Sequence, residues 1–373
     1  MNEQSDDTKF IHSIALEVNK GNPFCEKSFT ASQVDNKVKS MDCEVVIKSS
    51  NDGFSPLALT VKEDERKNQA DFEVTLKDNF PNPVLITSIA DYESLSFKNE
   101  KAVFIKKHSE CIKKQADKLL SLNNGIIEIK TNPDFAPCLF SLIAKGNEWL
   151  DTNYPHKTVK SWWNPWTGGI YYKLPGLNMK HLVEEKSTAT FITKKDNYLN
   201  EWTGFEIKTE IENFKPSKGL TLIQYFLTIP NLPIVCSYLK IEQKTGKYLN
   251  TNIQNISFIK ADNILTNCSF EYEYKGKTLK TKCGKDHIGF VSEASMVSFA
   301  GINREEKLII YNSDLHPYKY VESDIHISSC TTYQSKKIKN QDVCISPPKF
   351  FIISDEELKE KHLIDLKNIR FTN

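Results

Sequence analysis

Residues 220–234 read Leu-Thr-Leu-Ile-Gln-Tyr-Phe-Leu-Thr-Ile-Pro-Asn-Leu-Pro-Ile, and a second apolar run continues to residue 242. Branched and aromatic side chains of this kind fit the pleated, partly buried backbone of a sheet. Residues 220–227 and 234–242 are therefore predicted to be β-strands. The Pro-Asn-Leu-Pro segment between them is a turn signal, because proline cannot donate to a strand ladder.

The same pattern recurs along the chain, with Gly, Pro, Asn and Asp between the runs. Further strands are predicted at residues 11–18, 43–48, 57–61, 72–76, 84–89, 102–105, 126–129, 139–143, 188–193, 204–211, 251–259, 269–274, 297–300, 307–312 and 349–353. Helices are predicted only at 110–122, from apolar spacing of three to four, and at 355–361, from a capping-box pattern. The sequence therefore predicts an all-β protein of antiparallel sheets packed face to face.

A lysine-rich segment, residues 106–118, separates two regions that differ in the number and length of their predicted strands. About a hundred residues precede it, enough for one small sandwich, whereas the region after it contains too many strands for one. The predicted organisation is an immunoglobulin-like β-sandwich at 1–108, a helical linker at 109–121 and a large antiparallel β-supersandwich at 122–373.

Composition excludes several partners. The 373 residues carry 49 Lys and Arg against 48 Asp and Glu, a formal charge of +1, without a basic block for nucleic acid. No apolar run approaches the ~20 residues that span a bilayer, and the acidic N-terminus has no apolar segment typical of a signal peptide. A soluble, cytoplasmic protein with neither nucleic-acid nor membrane partners is expected.

Nine cysteines are scattered through the chain without a CxxC pair. Buried, reduced thiols are expected, and a disulfide between Cys268 and Cys283 is the alternative if the protein is secreted. Neither His316 nor the pair Asp324 and His326 comes with the further ligands that a zinc site needs, so no metal is predicted. Phosphate-binding glycine loops and a GxSxG elbow are absent, and no cofactor is expected.

Residues 161–172 read Ser-Trp-Trp-Asn-Pro-Trp-Thr-Gly-Gly-Ile-Tyr-Tyr and contain three of the five tryptophans. Aromatic rings can stack on the flat apolar faces of sugars, so carbohydrate is the first ligand to consider. The alternative is core packing, since consecutive residues of a strand point to opposite faces. The candidate ligand-binding residues of this kind are Trp162, Trp163, Trp166 and Tyr171, joined by Trp202.

The second region also resembles a known family. The order Leu122-Asn123-Asn124-Gly125, Gly146-Asn147-Glu148-Trp149-Leu150 and Gly168-Gly169-Ile170, followed by the strands near 202–206, 222–234 and 240–247, resembles galactose-mutarotase-like domains over about residues 122–350. The resemblance implies a concave sheet that faces sugar. Such domains occur in sugar epimerases, in polysaccharide lyases and in the C-terminal halves of glycoside hydrolases resembling alpha-mannosidases.

The mutarotase enzymes of that family pair a histidine acid with a glutamate base. The Asn-His motif expected for the acid is absent here, so no catalytic residue is predicted. Two histidines remain candidates for ligand binding: His181, near Glu184 and Glu185, and His287, beside Asp286 and near Glu293. The alternative for the first is an exposed turn, and for the second a surface ion pair.

These patterns lead to one function and two alternatives. The leading hypothesis is a carbohydrate-binding, non-catalytic accessory or C-terminal region of a glycan-active enzyme, with a mono- or oligosaccharide as ligand. The first alternative is a sugar epimerase or glycoside-cleaving enzyme that uses a His/Glu pair in the concave cleft. The second is a structural interaction module with its tryptophans buried.

Overall fold

The computed structural model describes residues 14–35, 42–61, 69–92, 95–274, 277–285, 287–314 and 318–372. The chain divides into two compact units, Met1–Ile105 and Lys106–Asn373. Nearly all regular structure is β-strand, and almost every strand pair is antiparallel, which confirms the predicted all-β class. Within the described ranges, no helix is long and apolar enough to cross a membrane.

Two sheets form the first unit. Its strands are β1 (Ile14–Val18), β2 (Phe24–Cys25), β3 (Ser28–Asp35), β4 (Cys43–Ser49), β5 (Leu57–Val61), β6 (Gln69–Thr75), β7 (Val84–Tyr92) and β8 (Leu95–Ile105), with a 3-10 turn at Asn19–Gly21. The sheet orders are β1-β3-β6 and β2-β8-β7-β4-β5, and only the short β2–β8 pair is parallel. Alternate residues such as Val45, Ile47, Phe72 and Val74 point into one shared core, as a two-layer sandwich requires.

The second unit contains two large sheets. The sheet called the front sheet has the order β24-β27-β28-β21-β16-β12-β11-β10-β9, with β13 beside β12. Its strands are β9 (Ile112–Ala116), β10 (Leu119–Asn123), β11 (Ile127–Asn132), β12 (Ala136–Ala144), β13 (Asn147–Glu148), β16 (Ile170–Lys173), β21 (Leu249–Phe258), β24 (Ile288–Ser292), β27 (Tyr318–Ser323) and β28 (Ser328–Ile338).

The other, called the back sheet, has the order β17-β18-β19-β20-β30-β26-β25-β22-β23, with β29 beside β20. Its strands are β17 (Lys186–Lys195), β18 (Glu201–Glu210), β19 (Leu220–Thr228), β20 (Ile234–Gln243), β22 (Cys268–Tyr274), β23 (Lys277–Lys282), β25 (Met296–Gly301), β26 (Lys307–Asn312), β29 (Val343–Ile345) and β30 (Lys349–Ser354).

Few elements lie outside the two large sheets. They are the hairpin of β14 (Thr158–Lys160) and β15 (Trp163–Trp166), the helical turn α1 (Met179–Leu182), and 3-10 segments at Lys215–Ser217, Leu265–Asn267 and Glu360–Asn368. The hairpin interrupts the chain between two front-sheet strands, β13 and β16. It therefore places the tryptophan-rich segment next to the front sheet.

The opening stretch of sequence forms the hairpin of β19 and β20 in the middle of the back sheet. Both strands are buried along most of their length, and strands on either side pair with their backbones. The turn between them is held by Asn124, whose side-chain amide donates to Thr228 Oγ1 at 2.6 Å, Ile229 O at 3.0 Å and Leu232 O at 2.9 Å. One buried amide thus joins the β10–β11 turn to the Pro-Asn-Leu-Pro turn.

Two predicted helices are wrong. Residues 109–121 do not form a helical linker, because β9 and β10 pair in a hairpin that turns at Asp117, with φ of 53°. The buried Leu120 and Leu122 then join the core, and pairing with β11 outweighs the helical spacing. Residues 355–361 are not a helix either: Ser354 Oγ accepts from the Glu356 amide at 3.1 Å, which closes a turn, and the 3-10 segment begins only at Glu360.

Candidate functional site

The front sheet has an inner face toward the back sheet and an outer face on the other side. Ile170, Val321 and Cys330 point inward and belong to the inter-sheet core. Because side chains alternate along a strand, Tyr171 and Glu322 point outward. We call this side of the front sheet the outer face.

Strand pairing places distant residues beside one another on the outer face. Tyr171 pairs with Ile256, which pairs with Thr331, which in turn pairs with Tyr320. Two residues further along β27, Glu322 pairs with Ser329 of β28, and both point to the same face as Tyr320. The outer face is thus assembled from β16, β21, β28 and β27.

Glu322 is an acidic residue that β27 presents on this face. It is 6% exposed, and Oε1 accepts a hydrogen bond from Ser329 Oγ at 3.1 Å. Burial raises the pKa of the Glu322 carboxyl, while the Ser329 hydrogen bond and the charges of His287 and Lys173 act in the opposite direction. A carboxyl held in this way can accept hydrogen bonds, and burial favours its protonated form more than that of an exposed carboxyl.

The hairpin of β14 and β15 brings an exposed indole to the same place. Trp162 is 54% exposed, and its ring centroid lies 5.4 Å from that of His287, nearly perpendicular to it. The neighbouring Ser161 donates from Oγ to Asp324 Oδ2 at 2.6 Å, which ties the hairpin to the end of β27. Trp162 therefore lies at the border of the outer face with more than half of its surface exposed to solvent.

Trp163 lies deeper and packs on the outer face itself. Its ring is 5.2 Å from Phe258, and Lys173 Nζ lies 5.6 Å above it. Lys173 also donates to Asn178 Oδ1 at 3.1 Å, and burial lowers the pKa of its ammonium, against the charge of Glu322. An indole, an ammonium and a carboxyl therefore meet on one face.

An open cavity of about 700 Å³ continues from Tyr320 along β28. It is lined by Asn252, Asp314, Tyr320, Tyr333, Gln334, Ser335 and Lys336. The Asn252 Oδ1 and Gln334 Oε1 atoms are buried and accept no hydrogen bond from the described residues. Its lining is therefore polar and aromatic, as ligand sites often are.

Of the predicted ligand-binding residues, the structure brings Trp162, Trp163, Tyr171 and His287 to the outer face. Tyr171 is buried beneath it, and Trp166, which is 2% exposed, packs against Phe258 and under Lys160 Nζ. Neither ring leaves a face open to a ligand, and both pack beneath the exposed residues of the site.

Trp202 and His181 are not brought to this face. Trp202 is fully buried in the back sheet, where Nε1 donates to Asp196 Oδ2 at 3.0 Å. His181 stacks on Phe214 at 4.1 Å, and its Nδ1 accepts from the Asn178 amide at 3.2 Å. With no exposed surface, Trp202 offers no ring face to a ligand. The ligand-binding role of the half-buried His181 stays a prediction.

Carboxylates near the candidate histidines are also structural. Glu185 accepts from the backbone amides of residues 212–214 at 2.8 to 3.1 Å and so caps the turn after β18. Asp324 is occupied by Ser161 and by the amides of His326 and Ile327. Glu293 is exposed, whereas Asp286 and His316 lie outside the described residues.

The sequence analysis missed Glu322, Lys173 and Tyr320. The signal was the alternation Tyr318-Lys319-Tyr320-Val321-Glu322, which has the period of a strand, but neither β27 nor β28 was predicted. β28 is mostly polar and lacks the apolar alternation by which a strand is recognised in a sequence. Lys173 follows two tyrosines on the short strand β16, and its register opposite Gln254 of β21 exists only in the folded sheet; its charge then acts on Glu322.

The described cysteines are all free thiols, and seven of the nine are buried. Cys268 and Cys283 lie at facing ends of β22 and β23, joined by a backbone hydrogen bond of 2.9 Å and without a disulfide. Across the described ranges, no group of three His, Cys, Asp or Glu side chains is arranged to hold a metal ion.

Comparison with solved structures finds several weak similarities. One is a galactose mutarotase-like protein from Lactobacillus casei, with 10% identity over 66% of this chain and 100% of the other, at a TM-score of 0.44. Another is the GH36 alpha-galactosidase AgaB from Geobacillus stearothermophilus, with 8% identity and a TM-score of 0.45. That match covers 66% of this chain and 41% of the enzyme.

A third structure is the Slr1438 protein from Synechocystis, with 8% identity over 67% of this chain and 98% of the other, at a TM-score of 0.47. No protein-family model matches the chain. No curated protein matches it either. The solved structures include the fold family that the sequence resembles, and the similarity concerns the fold alone.

Proposed function

We propose that this chain binds carbohydrate on the outer face of the front sheet, as a non-catalytic accessory or C-terminal region of a glycan-active enzyme. The observation that carries the proposal is a set of neighbouring groups on one side of the front sheet. The exposed Trp162 lies against His287, and Lys173 lies over Trp163. Glu322 interacts electrostatically with both His287 and Lys173. An indole supplies a flat surface for the C–H face of a sugar ring. The carboxyl accepts from sugar hydroxyls and the ammonium donates to them.

The expected affinity is modest. Each aromatic stacking contact contributes roughly 0.5–1.5 kcal/mol beyond the area it buries. Hydrogen bonds to charged partners add about 1.5–3 kcal/mol each, before the cost of immobilising the sugar is subtracted. We therefore expect dissociation constants in the micromolar to millimolar range, which calorimetry can measure.

Isothermal titration calorimetry with glucose, galactose, mannose and their linear oligosaccharides tests the proposal. Trp162→Ala should weaken binding several-fold because it removes the exposed stacking surface. Tyr248→Ala is the matched control, since Tyr248 is an aromatic residue of similar exposure, 59%, in the turn before β21. Equal affinities of the two variants, or no heat with any sugar, would contradict the proposal.

A second function is favoured by one observation, the interaction of His287 with a Glu322 whose pKa is raised by burial. A carboxyl and an imidazole beside a bound sugar could transfer protons, as an epimerase or a glycoside-cleaving enzyme requires. Anomer exchange followed by NMR, and product release from oligosaccharides, distinguish this function from binding alone. Turnover that Glu322→Gln abolishes while sugar binding persists would favour the enzyme.

A further inference from the structure

The turn between β14 and β15 consists of Ser161 and Trp162. The backbone of Ser161 has φ of 53°, in the left-handed region that residues with a Cβ atom seldom adopt. Such a conformation persists where neighbouring contacts hold it. At this position the contact is the hydrogen bond from Ser161 Oγ to Asp324 Oδ2, at 2.6 Å. The direction of the chain at Trp162 therefore depends on a residue 163 positions away from Ser161 in the sequence.

Asp324 is a well-fixed partner for this hydrogen bond. It is 8% exposed, and its Oδ1 accepts from the amides of His326 and Ile327 at 2.7 and 2.8 Å in the turn that joins β27 to β28. Burial alone would raise the pKa of the Asp324 carboxyl, but the hydrogen bonds from Ser161 and from the two amides hold the pKa below its ordinary value. Asp324 is thus a charged acceptor, and hydrogen bonds to charged groups are stronger than those between neutral groups.

The other contacts of the β14–β15 hairpin hold its strands. Lys160, the last residue of β14, forms an ion pair with Asp151 at 2.6 Å, and Trp163, the first residue of β15, packs on the outer face. Trp162 lies between these two positions. Its ring lies against His287, with centroids 5.4 Å apart, and more than half of its surface is exposed. The hydrogen bond between Ser161 and Asp324 is therefore the contact that fixes the turn itself.

We propose that Asp324 is a positioning residue of the ligand site. Through Ser161 it holds the Trp162 ring beside His287 before a ligand arrives, so that a sugar meets a preformed surface. Ordering a mobile side chain on binding costs affinity, and preorganisation removes that cost. This inference rests on the proposed carbohydrate-binding function and names the residue that prepares its site.

Tryptophan fluorescence of the free protein tests the positioning without any sugar. Ser161→Ala removes the hydroxyl donor and keeps a Cβ atom at the positive φ, so its effect reports the hydrogen bond. Trp162 is the most exposed of the five tryptophans, and its emission is taken as the difference between a protein and its Trp162→Phe counterpart. In Ser161→Ala the anisotropy of that emission should fall and its quenching by acrylamide should increase, because the ring moves more freely.

Thr158→Ala is the matched control. It removes a hydroxyl of the same hairpin, one that accepts from Asn153 Nδ2 at 3.3 Å and does not reach β27. This control should leave the Trp162 emission unchanged. Far-ultraviolet circular dichroism should be the same for the wild type and both alanine variants, which separates a change at Trp162 from a loss of fold.

Calorimetry with glucose, galactose, mannose and their linear oligosaccharides then connects the ring to the ligand. Ser161→Ala should weaken binding about threefold, because the sugar has to order the turn, and Thr158→Ala should leave the affinity unchanged. In a Trp162→Ala background, Ser161→Ala should cause no further loss, since a positioning residue acts through the ring that it holds.

The outcomes separate this inference from the proposed function. Unchanged Trp162 emission in Ser161→Ala, or equal changes in Ser161→Ala and Thr158→Ala, overturns the positioning role of Asp324 and leaves sugar binding intact. A loss of affinity that persists in the Trp162→Ala background overturns it as well, because Ser161 would then contact the sugar directly. Absence of binding by any sugar overturns the proposed function, and the emission of the free protein alone then decides whether Asp324 holds Trp162.

Discussion

At the scale of single residues, Asn124 shows how one side chain can determine a local fold. Its amide nitrogen donates to three oxygens around the Pro-Asn-Leu-Pro turn, and its Oδ1 accepts from the amides of Ile126 and Ile127 at 2.9 and 2.7 Å. The side chain is buried, so water cannot replace these bonds. Asn124 is part of the Asn-Asn-Gly motif on which the family resemblance was based.

Replacing Asn124 by alanine should lower the free energy of unfolding by about 3 kcal/mol or more, because several buried backbone groups lose their partner at once. Asn123→Ala is the control: that neighbour is exposed, and its Oδ1 accepts only from the Gly125 amide among the bonds described. Urea unfolding of the two variants gives the comparison. Similar losses in both would show that the buried network is not decisive.

We expect the buried Glu322 carboxyl to lower the stability of the folded protein at neutral pH while contributing to sugar affinity. Because burial raises its pKa in the folded protein, the carboxyl contributes stability below its ordinary pKa near 4.5, and that contribution is lost as pH rises through the folded value. Glu322→Gln removes this loss. The thermal midpoint of the variant should exceed that of the wild type at pH 7, and the difference should shrink toward pH 4, while sugar affinity falls. A variant less stable at pH 7 would contradict this.

At the scale of elements, a polar layer lies between the two large sheets. On β20, Ser237 sits between Val235 of one apolar cluster and Leu239 of another. Ser237 Oγ donates to Tyr172 Oη at 3.2 Å, and Gln224 accepts from the Tyr172 amide at 2.9 Å. The rest of the layer is Asn255, Lys319, Thr332 and Lys349, all nearly inaccessible to solvent. Hydrogen bonds there fix the register of the two sheets, since they require one alignment.

Within that layer, Lys349 is a buried lysine whose charge lowers the stability of the folded protein. Its Nζ lies 4.9 Å above the Tyr172 ring, and burial lowers its pKa to about 7, against the charge of Asp314. The unfolded chain binds more protons than the folded one between about pH 7 and the ordinary lysine range, so wild-type stability should rise with pH across pH 7 to 8.5 from this group.

Lys349→Met should remove that rise and stabilise the protein most below pH 7, because replacing a buried charge by an apolar side chain is often worth about 1–4 kcal/mol. Lys277→Met, at an exposed position of β23, is the control and should leave the pH dependence unchanged. Denaturant unfolding at pH 6, 7 and 8.5 measures the difference. Parallel curves for the wild type and Lys349→Met would exclude this role for Lys349.

At the scale of the whole molecule, every residue of the proposed site belongs to the second unit, Lys106–Asn373. A fragment of residues 106–373 should therefore fold and bind sugar with the affinity of the full chain. A fragment of residues 122–373, the boundary predicted from the sequence, lacks β9 and most of β10.

The shorter fragment should have a lower thermal midpoint and should self-associate, because it loses the buried Leu120 and leaves β11 as an unpaired edge. Thermal unfolding and size-exclusion chromatography compare the two fragments. Equal behaviour would mean that the β9–β10 hairpin is dispensable. Loss of sugar binding in residues 106–373 would mean that the first unit contributes to the site.

Strands with an apolar pattern were predictable to within a few residues. Residues 220–227 and 307–312 were predicted, and the structure has Leu220–Thr228 and Lys307–Asn312. β28 was not, because it carries serine, threonine and lysine where a half-buried strand normally shows alternating apolar residues, and β27 was not, although residues 318–322 alternate with the period of a strand. These two strands contribute to the polar layer and to the outer face, where polar side chains are buried in hydrogen bonds and charge interactions.

The sequence by itself determined the strand-rich class and the aromatic segment 161–172, because both depend on local composition and spacing. The structure divides the chain between residues 105 and 106, whereas the sequence predicted domains at 1–108 and 122–373 joined by a helical linker. Only the tertiary structure decided which of those aromatics face a ligand and which carboxyl accompanies them. Trp162 and Glu322 each lie beside His287, because the hydrogen bond from Ser161 to Asp324 ties the β14–β15 hairpin to the end of β27. Strand order is set by long-range pairing and by the packing of two sheets, and no local pattern of residues encodes it.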